Sequence, residues 1–194
     1  GAKINIYGEE YVAAAVSKRL GIPVKWSEDR SEAFVATTHG RDILCYLDLA
    51  AKRDGTVLGL KMRLIADIGA YNMLLTAAIP TLTMMMANAT YDIPAIRTTL
   101  TEVFTNKTPT DAYRGAGRPE ATYFVERAMD MLARELKMDP ADVRRKNFIK
   151  PDKFPYATQM GAVYDSGDYE KALDLALKNA KWDQLKAERD AARQ

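Results

Sequence analysis

The stretch ILCYLDLAAKRDGTVLGLKMRLIA, residues 43–66, carries the clearest β signal in the chain. Its two halves are rich in apolar residues, and Asp54-Gly55 between them is a dipeptide typical of tight hairpin turns. We therefore predict a hairpin with arms at 43–51 and 57–66. One face of the second arm is apolar and is expected to be buried, with Lys61 and Arg63 opposite it. That face consists of Leu58, Leu60, Met62 and Leu64.

Helices are predicted on both sides of this hairpin. Residues 8–20 place five apolar or small side chains on one helical face, and Gly21 and Pro23 end that helix before a short strand at 24–26. Further on, the pattern predicts a strand at 98–105 and a helix of about five turns after Pro119. It also predicts an Asp139-capped helix to Phe148 and two C-terminal helices, at 169–179 and 182–193. Hairpins and short strands packed with several separate helices indicate an α+β fold.

The composition excludes several function classes. The 194 residues suit one domain, or one domain with an appended segment. Lys and Arg total 28 against 26 Asp and Glu, so the net charge of +2 gives no electrostatic reason to bind nucleic acid or an anionic membrane. One cysteine, Cys45, and one histidine, His39, are too few for a disulfide, a zinc site or an iron–sulfur site. Without a signal peptide or a spanning segment, the expected location is cytoplasmic.

The segment that stands out chemically is Asp111-Ala112-Tyr113-Arg114-Gly115-Ala116-Gly117-Arg118-Pro119-Glu120. It lies between a predicted strand and a predicted helix. Its glycines allow a ligand to approach the backbone, and its arginines offer charge-assisted donors to a phosphate, pterin or oxyanion. The alternative is a tight strand-to-helix turn with exposed arginines. A Rossmann fingerprint is excluded, because Glu120 stands where the third glycine would be.

No nucleophile–base pair is visible in the sequence. His39 could act as a base, but a loop histidine bonded to the backbone is the simpler interpretation. The residues by themselves therefore indicate an α+β domain with a candidate anion-binding turn.

Several segments, in this order, resemble the large subunit of molybdenum hydroxylases, the group of xanthine dehydrogenase, aldehyde oxidase and carbon monoxide dehydrogenase. The strongest is Ala112-Tyr113-Arg114-Gly115 with Gly117-Arg118-Pro119-Glu120. The others are Gly1-Ala2-Lys3, Glu28-Asp29-Arg30, Thr37-Thr38-His39-Gly40-Arg41, Ala66-Asp67-Ile68-Gly69-Ala70-Tyr71, Tyr91-Asp92-Ile93-Pro94, Thr105-Asn106-Lys107-Thr108-Pro109, Asp142-Val143-Arg144-Arg145-Lys146-Asn147 and Tyr164-Asp165-Ser166-Gly167-Asp168-Tyr169. The resemblance covers essentially the whole chain.

The resemblance implies a molybdenum ion held by a molybdopterin-type cofactor, and hydroxylation of a substrate with water as the oxygen source. It implies FAD on a medium subunit and 2Fe-2S clusters on a small subunit. It places six residues at the cofactor: Gly1, Ala2, Ala112, Tyr113, Arg114 and Gly115. Residues 1–194 would be a partial molybdopterin-binding domain, with 165–194 as a C-terminal helical extension.

Departures from the family pattern narrow the expected substrate. Copper-containing carbon monoxide dehydrogenases have Cys where this chain has Gly115. Purine-oxidising members carry Glu, Arg and an aromatic residue where this chain has Ile4, Leu82 and Ala116. We therefore expect a pocket for an aldehyde or an apolar heterocycle.

The resemblance also implies that residues are missing from the chain. The family's catalytic glutamate lies far toward the C-terminus of the full subunit, so no catalytic residue is expected among these 194. The chain is expected to be a fragment, inactive alone and without cofactor, that needs the remaining part of the molybdenum subunit.

Two other interpretations stay open. One is a non-catalytic module that only docks other subunits. The other is an unrelated anion-binding α+β domain that uses Arg114 and Arg118.

Overall fold

The computed structural model describes residues 6–193, and within them it contains both helices and strands. The helices and strands, in chain order, are α1 (Gly8–Leu20), α2 (Arg30–Ala36), β1 (Ile43–Ala51), β2 (Val57–Gly69), α3 (Ala78–Met85), β3 (Ile96–Phe104), α4 (Arg118–Leu136), α5 (Pro140–Asn147), β4 (Tyr156–Ala157), β5 (Val163–Tyr164), α6 (Tyr169–Asn179) and α7 (Trp182–Ala191). A 3-10 turn covers Pro151–Lys153. The predicted α+β class is confirmed.

A three-stranded sheet has the order β1-β2-β3. β1 and β2 form the predicted hairpin, because the Lys52 N–H donates to Thr56 O at 2.8 Å and closes the turn between them. β2 continues to Gly69, three residues beyond the predicted arm. β4 and β5 form a separate antiparallel pair, in a stretch for which the sequence analysis predicts no strand.

β2 and β3 run in the same direction. Near the start of both strands the Leu60 N–H donates to Ala95 O at 2.9 Å, and at the end of both the Thr105 N–H donates to Gly69 O at 3.1 Å. A parallel pair needs a crossover connection, and α3 lies in that connection.

The chain divides into two compact units. The first comprises the residues up to 46 together with 62–84 and 98–121. The second comprises 47–61, 85–97 and the residues from 122 onwards. The strands β1, β2 and β3 and the helices α3 and α4 each contribute residues to both units.

The first unit has its core on one face of β2. Many of its fully or almost fully buried side chains come from β2, α3 and the first turn of α4, and they include Met62, Leu64, Ala66, Ile68, Ile79, Thr83 and Ala121. The alternation along β2 follows from the period of two in a strand, and it confirms the predicted buried face from Leu60 onwards. Leu58 is the exception, since 43% of it is exposed and Val57 is buried instead. The alternation therefore changes phase around Gly59, where an added Cβ would lie 3.3 Å from the carbonyl oxygen of Ala95.

The second unit has its core around Tyr91. The Tyr91 ring stacks on Phe148 with centroids 5.7 Å apart, and its hydroxyl donates to Glu126 at 2.8 Å. Arg144 donates to the other Glu126 oxygen at 2.7 Å. Burial, followed by the neighbouring Glu126 carboxylate, raises the pKa of Tyr91, so the hydroxyl stays protonated and keeps this network intact.

Asn147 ties the end of α5 to the start of β2. Its side-chain oxygen accepts from the Val57 N–H at 2.8 Å, and its amide nitrogen donates to Gly55 O at 2.8 Å and to Val143 O at 2.7 Å. The side chain is buried, so these three bonds satisfy backbone groups that water cannot reach.

Several predicted elements differ from the structure. Residues 24–26 are not a strand, because Trp26 is exposed and no strand within residues 6–193 pairs with it. The sequence reading missed α2, which begins with a capping box between Asp29 and Glu32. Cys45 is half-buried on β1, and burial raises the pKa of its thiol to about 11. Helix α1 has its predicted bounds and its Gly21 cap, but none of its residues is buried.

The structure also bears on membrane association. Among the helices of residues 6–193, none combines the length and the apolar composition needed to cross a bilayer.

We predict that Asn147→Ala lowers the free energy of unfolding by about 2–4 kcal/mol, because it removes three buried hydrogen bonds and leaves backbone groups unsatisfied. Urea denaturation of both chains measures this difference. Asn72→Ala is the matched control, since Asn72 is exposed and should change stability by no more than about 0.5 kcal/mol. Equal effects of the two substitutions would contradict the role given to Asn147.

Candidate functional site

The segment that leads from β3 into α4 is held by backbone pairing with residue 39. The His39 N–H donates to Pro109 O at 2.9 Å, and the Asp111 N–H donates to His39 O at 2.9 Å. The His39 ring lies on the surface, with Nε2 3.2 Å from the Phe34 carbonyl oxygen. This contact confirms the interpretation of His39 as a backbone-bonded loop histidine.

Asp111 anchors the start of the loop from inside the first unit. Its side chain is fully buried and accepts from the N–H of Ala112, from the Leu75 N–H at 3.2 Å and from the Thr76 hydroxyl at 3.4 Å. A buried carboxylate with several donors is satisfied without a counter-ion. Asp111 therefore ties the loop to the segment that precedes α3.

The loop then turns through three successive residues with left-handed backbone. Gly115 has φ +101°, Ala116 +42° and Gly117 +90°. The Ala116 N–H donates to Tyr113 O at 2.8 Å, which closes the first turn of this segment. Two of the three positions are glycines, which adopt this backbone region without steric cost.

Gly117 lies directly against α3. A Cβ added there would be 2.6 Å from Ile79 O and 2.7 Å from Thr83 N, and 2.9 Å from the Cβ of Leu82. The first two of these contacts are with backbone atoms, so they leave no room for a side chain. Gly117 therefore fixes the distance between the loop and α3, and it places Leu82 beside the loop.

The exposed side of the loop is rich in donors. No described residue accepts a hydrogen bond from the N–H groups of Tyr113, Arg114 or Gly115. The side chains of Arg114 and Arg118 are exposed, and within residues 6–193 neither forms an ion pair. This arrangement of backbone donors and positive charge suits an anionic or oxygen-rich group.

The structure shows where the sequence-predicted site residues lie. Ala112, Tyr113, Arg114, Gly115 and Ala116 are consecutive in the loop, and Leu82 lies beside Gly117. Gly1, Ala2 and Ile4 lie outside the described residues. Within residues 6–193, no three His, Cys, Asp or Glu side chains form a group able to hold a metal ion.

The sequence reading assigned no role to two residues that contact the loop. Arg41 Nη2 donates to Arg114 O at 2.7 Å, and Arg41 Nε lies 2.7 Å from Glu120 Oε1. Arg41 ends the motif Thr37-Thr38-His39-Gly40-Arg41, and Glu120 ends the motif Gly117-Arg118-Pro119-Glu120. The two residues are 79 positions apart, so a local sequence pattern does not predict that they pair.

The same unit contains a second charged cluster near the end of β2. Lys107 pairs with Asp42 and with Asp67, whose carboxylate lies 3.2 Å from the Lys107 amine. Burial alone would raise the pKa of Asp67, but hydrogen bonds from Thr105, the Gly69 N–H and Lys107 outweigh it and lower the pKa below 3.8. The same pairing raises the pKa of Lys107, against the effect of burial.

Comparison with known proteins assigns the chain to a protein family. The sequence profile of the molybdopterin cofactor-binding domain matches residues 1–148. The chain belongs to the molybdopterin cofactor-binding domain family. The predicted resemblance is thereby confirmed, and the 112–115 loop lies inside the matched region.

Individual relatives agree with this assignment. The carbon monoxide dehydrogenase large chain of Hydrogenophaga pseudoflava is 41% identical over all of this chain, which spans 24% of that protein. The crystal structure of a Cu,Mo-CO dehydrogenase has a TM-score of 0.89 at 39% identity, covering all of this chain and 25% of the other. Quinoline 2-oxidoreductase from Pseudomonas putida 86 has a TM-score of 0.87 at 32% identity, covering 95% of this chain and 24% of the other. The chain thus spans about a quarter of the length of these relatives.

We predict that Gly117→Ala lowers the free energy of unfolding by at least about 2 kcal/mol, because the new methyl group meets backbone atoms at a positive φ. Gly8→Ala is the matched control: nothing lies within 4 Å of a Cβ there, and the residue is the first of α1. In a helix, alanine is more stable than glycine by up to about 1 kcal/mol, so the control should be neutral or stabilising. Urea denaturation distinguishes the two, and a neutral Gly117→Ala would refute the close approach to α3.

The Asp67 cluster predicts a pH dependence. Because the folded-state pKa of Asp67 is lowered, its contribution is complete above the ordinary value of 3.8 and is lost as the pH falls through the lower folded value. Asp67→Asn should therefore lower the urea midpoint at pH 7 and weaken the decline of that midpoint in acid. Asp48→Asn is the control, since its carboxylate is 78% exposed. The same acid profile in Asp67→Asn and the unsubstituted chain would be the contrary result.

Proposed function

We propose that this chain is the molybdenum-cofactor-binding part of the large subunit of an oxidoreductase that hydroxylates an aldehyde or related substrate. The observation that carries the proposal is the 112–115 loop, in which the N–H groups of residues 113–115 have no acceptor within residues 6–193 and Arg114 is exposed. The family assignment supports it, because the loop lies within the matched residues. The geometry also suits the anionic pyrophosphate-like or oxo groups that such a cofactor presents.

In this proposal the N–H groups of Tyr113, Arg114 and Gly115 donate to oxygen atoms of the cofactor, and the Arg114 guanidinium balances its negative charge. Ala112 is the neighbouring contact before the loop turns. The cofactor, when bound, supplies the two-electron oxidation of the substrate carbon, with oxygen derived from water. The protein supplies placement and electrostatics.

The substrate class is proposed from three positions. Gly115 has no thiol, which argues against the copper-dependent oxidation of carbon monoxide. Leu82 and Ala116 lie at the same end of the loop and are apolar. Ile4 is assigned to the same pocket from the sequence alone. We therefore favour an aldehyde or an apolar heterocycle, and the similarity to a quinoline 2-oxidoreductase supports the second of these.

We further propose that the active assembly contains the remaining part of the molybdenum subunit, an FAD-binding medium subunit and a 2Fe-2S small subunit. Exposed apolar residues on α1 support a covering polypeptide, since Tyr11, Val12 and Leu20 are each more than half exposed. The catalytic glutamate would come from the remaining part, so the chain alone is inactive. Residues 165–194 form the helical extension of this partial domain.

The test uses the complete assembly that contains this sequence. Arg114→Ala should lower the molybdenum content per assembly several-fold, because a charge-assisted donor to the cofactor is lost. Elemental analysis of the purified assembly measures molybdenum, and oxidation of quinoline, benzaldehyde and carbon monoxide is measured in parallel. We expect one of the first two to be oxidised and carbon monoxide not to be.

Arg127→Ala is the control, because Arg127 is an exposed arginine of α4 that forms no ion pair within residues 6–193. It should leave the molybdenum content unchanged. An unsubstituted assembly without molybdenum would refute the proposed function and favour a docking module. Equal, full molybdenum content in both variants would remove Arg114 from the cofactor site.

A further inference from the structure

Arg41 contacts the loop at two neighbouring residues. Its Nη2 donates to the carbonyl oxygen of Arg114 at 2.7 Å, and its guanidinium carbon lies 5.2 Å from the centre of the Tyr113 ring. The first contact restrains the loop backbone, and the second is a cation–π contact with the adjacent side chain. One side chain from a distant part of the sequence therefore holds both residues.

Glu120 holds Arg41 from the other side. Only 5% of its side chain is exposed, and its Oε1 lies 2.7 Å from Arg41 Nε. No described residue donates a well-aligned hydrogen bond to either Glu120 oxygen, so the compensation of this buried charge is the close contact with Arg41. An unpaired buried carboxylate destabilises the fold, so conformations in which the Arg41 guanidinium leaves Glu120 are unfavourable.

The backbone on the Arg41 side is itself fixed against the loop. His39 pairs with residues 109 and 111 on the strand-like segment that enters the loop. A Cβ added to Gly40 would lie 3.2 Å from the Cβ of Tyr113, so the two segments are in close contact. Arg41 therefore extends from a rigid support, and its planar guanidinium engages Glu120 and the Arg114 carbonyl at once.

We infer that Arg41 and Glu120 are a positioning pair for the cofactor loop. They hold the Tyr113–Gly115 backbone in the conformation in which its N–H groups have no acceptor within residues 6–193, before any cofactor is bound. Neither residue is assigned a contact with the cofactor or substrate. The inference rests on the proposed function for the identity of the ligand, but the loop restraint itself does not depend on it.

The pair also sets the charge of the site. Glu120 neutralises Arg41, whereas Arg114 and Arg118 have no ion-pair partner within residues 6–193. The net positive charge of the loop surface therefore comes from the two exposed arginines. Removing Arg41 would free the Glu120 carboxylate beside them and lower that charge, so the pair acts on electrostatics as well as on conformation.

The experiment measures hydrogen–deuterium exchange in the complete protein, purified without molybdenum cofactor. Arg41→Met should raise exchange about tenfold at the amides of Ala116 and Arg118, which donate to Tyr113 O and Gly115 O within the turn. Tenfold is the factor expected for the loss of one hydrogen bond from a charged donor. Exchange in β2 should stay within about twofold of the unsubstituted protein. Arg53→Met is the control, because Arg53 is an exposed turn residue without an ion pair in the described part of the chain.

Two conservative variants cover the case in which Arg41→Met does not fold. Glu120→Gln keeps the shape and an acceptor for Arg41 Nε but removes the buried charge, so it should fold and raise exchange in 112–118 by a smaller factor. Arg41→Lys keeps the charge near Glu120 but loses the planar guanidinium that reaches Glu120 and the Arg114 carbonyl at once, and it should give an intermediate exchange. A purely structural role would instead raise exchange equally in β2 and in the loop.

A second readout in the loaded assembly connects the pair to the cofactor. After dialysis, Arg41→Met should retain about tenfold less molybdenum than Arg53→Met, and Arg41→Lys should recover part of the loss. Unchanged loop exchange in Arg41→Met and Glu120→Gln would overturn the inference. A normal assembly that contains no molybdenum would refute the proposed function but leave the loop restraint to be judged by the exchange result.

Discussion

The constraint on which the first unit depends is the close approach of the Gly117 backbone to α3. A side chain at this position would overlap Ile79 O and Thr83 N, so only glycine allows the contact. The left-handed backbone from Gly115 to Gly117 turns the chain sharply enough for α4 to begin there. The N–H groups of residues 113–115, which precede this turn, have no acceptor within residues 6–193. The contact with α3 and the start of α4 therefore follow from one backbone conformation.

Charge is distributed around this turn according to burial. Asp111 is buried and satisfied by backbone and hydroxyl donors, and Glu120 is buried against Arg41. The arginines that remain exposed, Arg114 and Arg118, carry their charge toward solvent. Buried charges require compensation, whereas exposed charges do not. The carboxylates of Asp111 and Glu120 are therefore paired within the first unit, and Arg114 and Arg118 are left without an ion pair within residues 6–193.

Local patterns in the sequence predict the local structure well. The hairpin, α1 with its Gly21 cap, α6 and the Asp139 cap of α5 are confirmed, because turn and capping preferences act within a few residues. Contacts between distant segments could not be predicted in this way. The parallel pairing of β2 with β3 and the Arg41–Glu120 contact each join segments far apart in sequence, and no local propensity reports them. The 112–115 loop was predicted from its motif, but the left-handed backbone of Gly115, Ala116 and Gly117 became visible only in the structure.

For helix α1 the predicted bounds are correct, but the burial of its apolar face is not observed. Its apolar face has the periodicity of a core helix, yet none of its residues is buried among those described. Periodicity reports that a face is suited to burial, but it does not identify the partner that buries it. The relatives are about four times as long as this chain, and an apolar face of this kind is what a domain presents to further polypeptide in a larger subunit. The loop and α1 thus differ in what surrounds them. The loop is held by contacts with Asp111, Gly117 and Arg41, whereas the apolar face of α1 is exposed within residues 6–193.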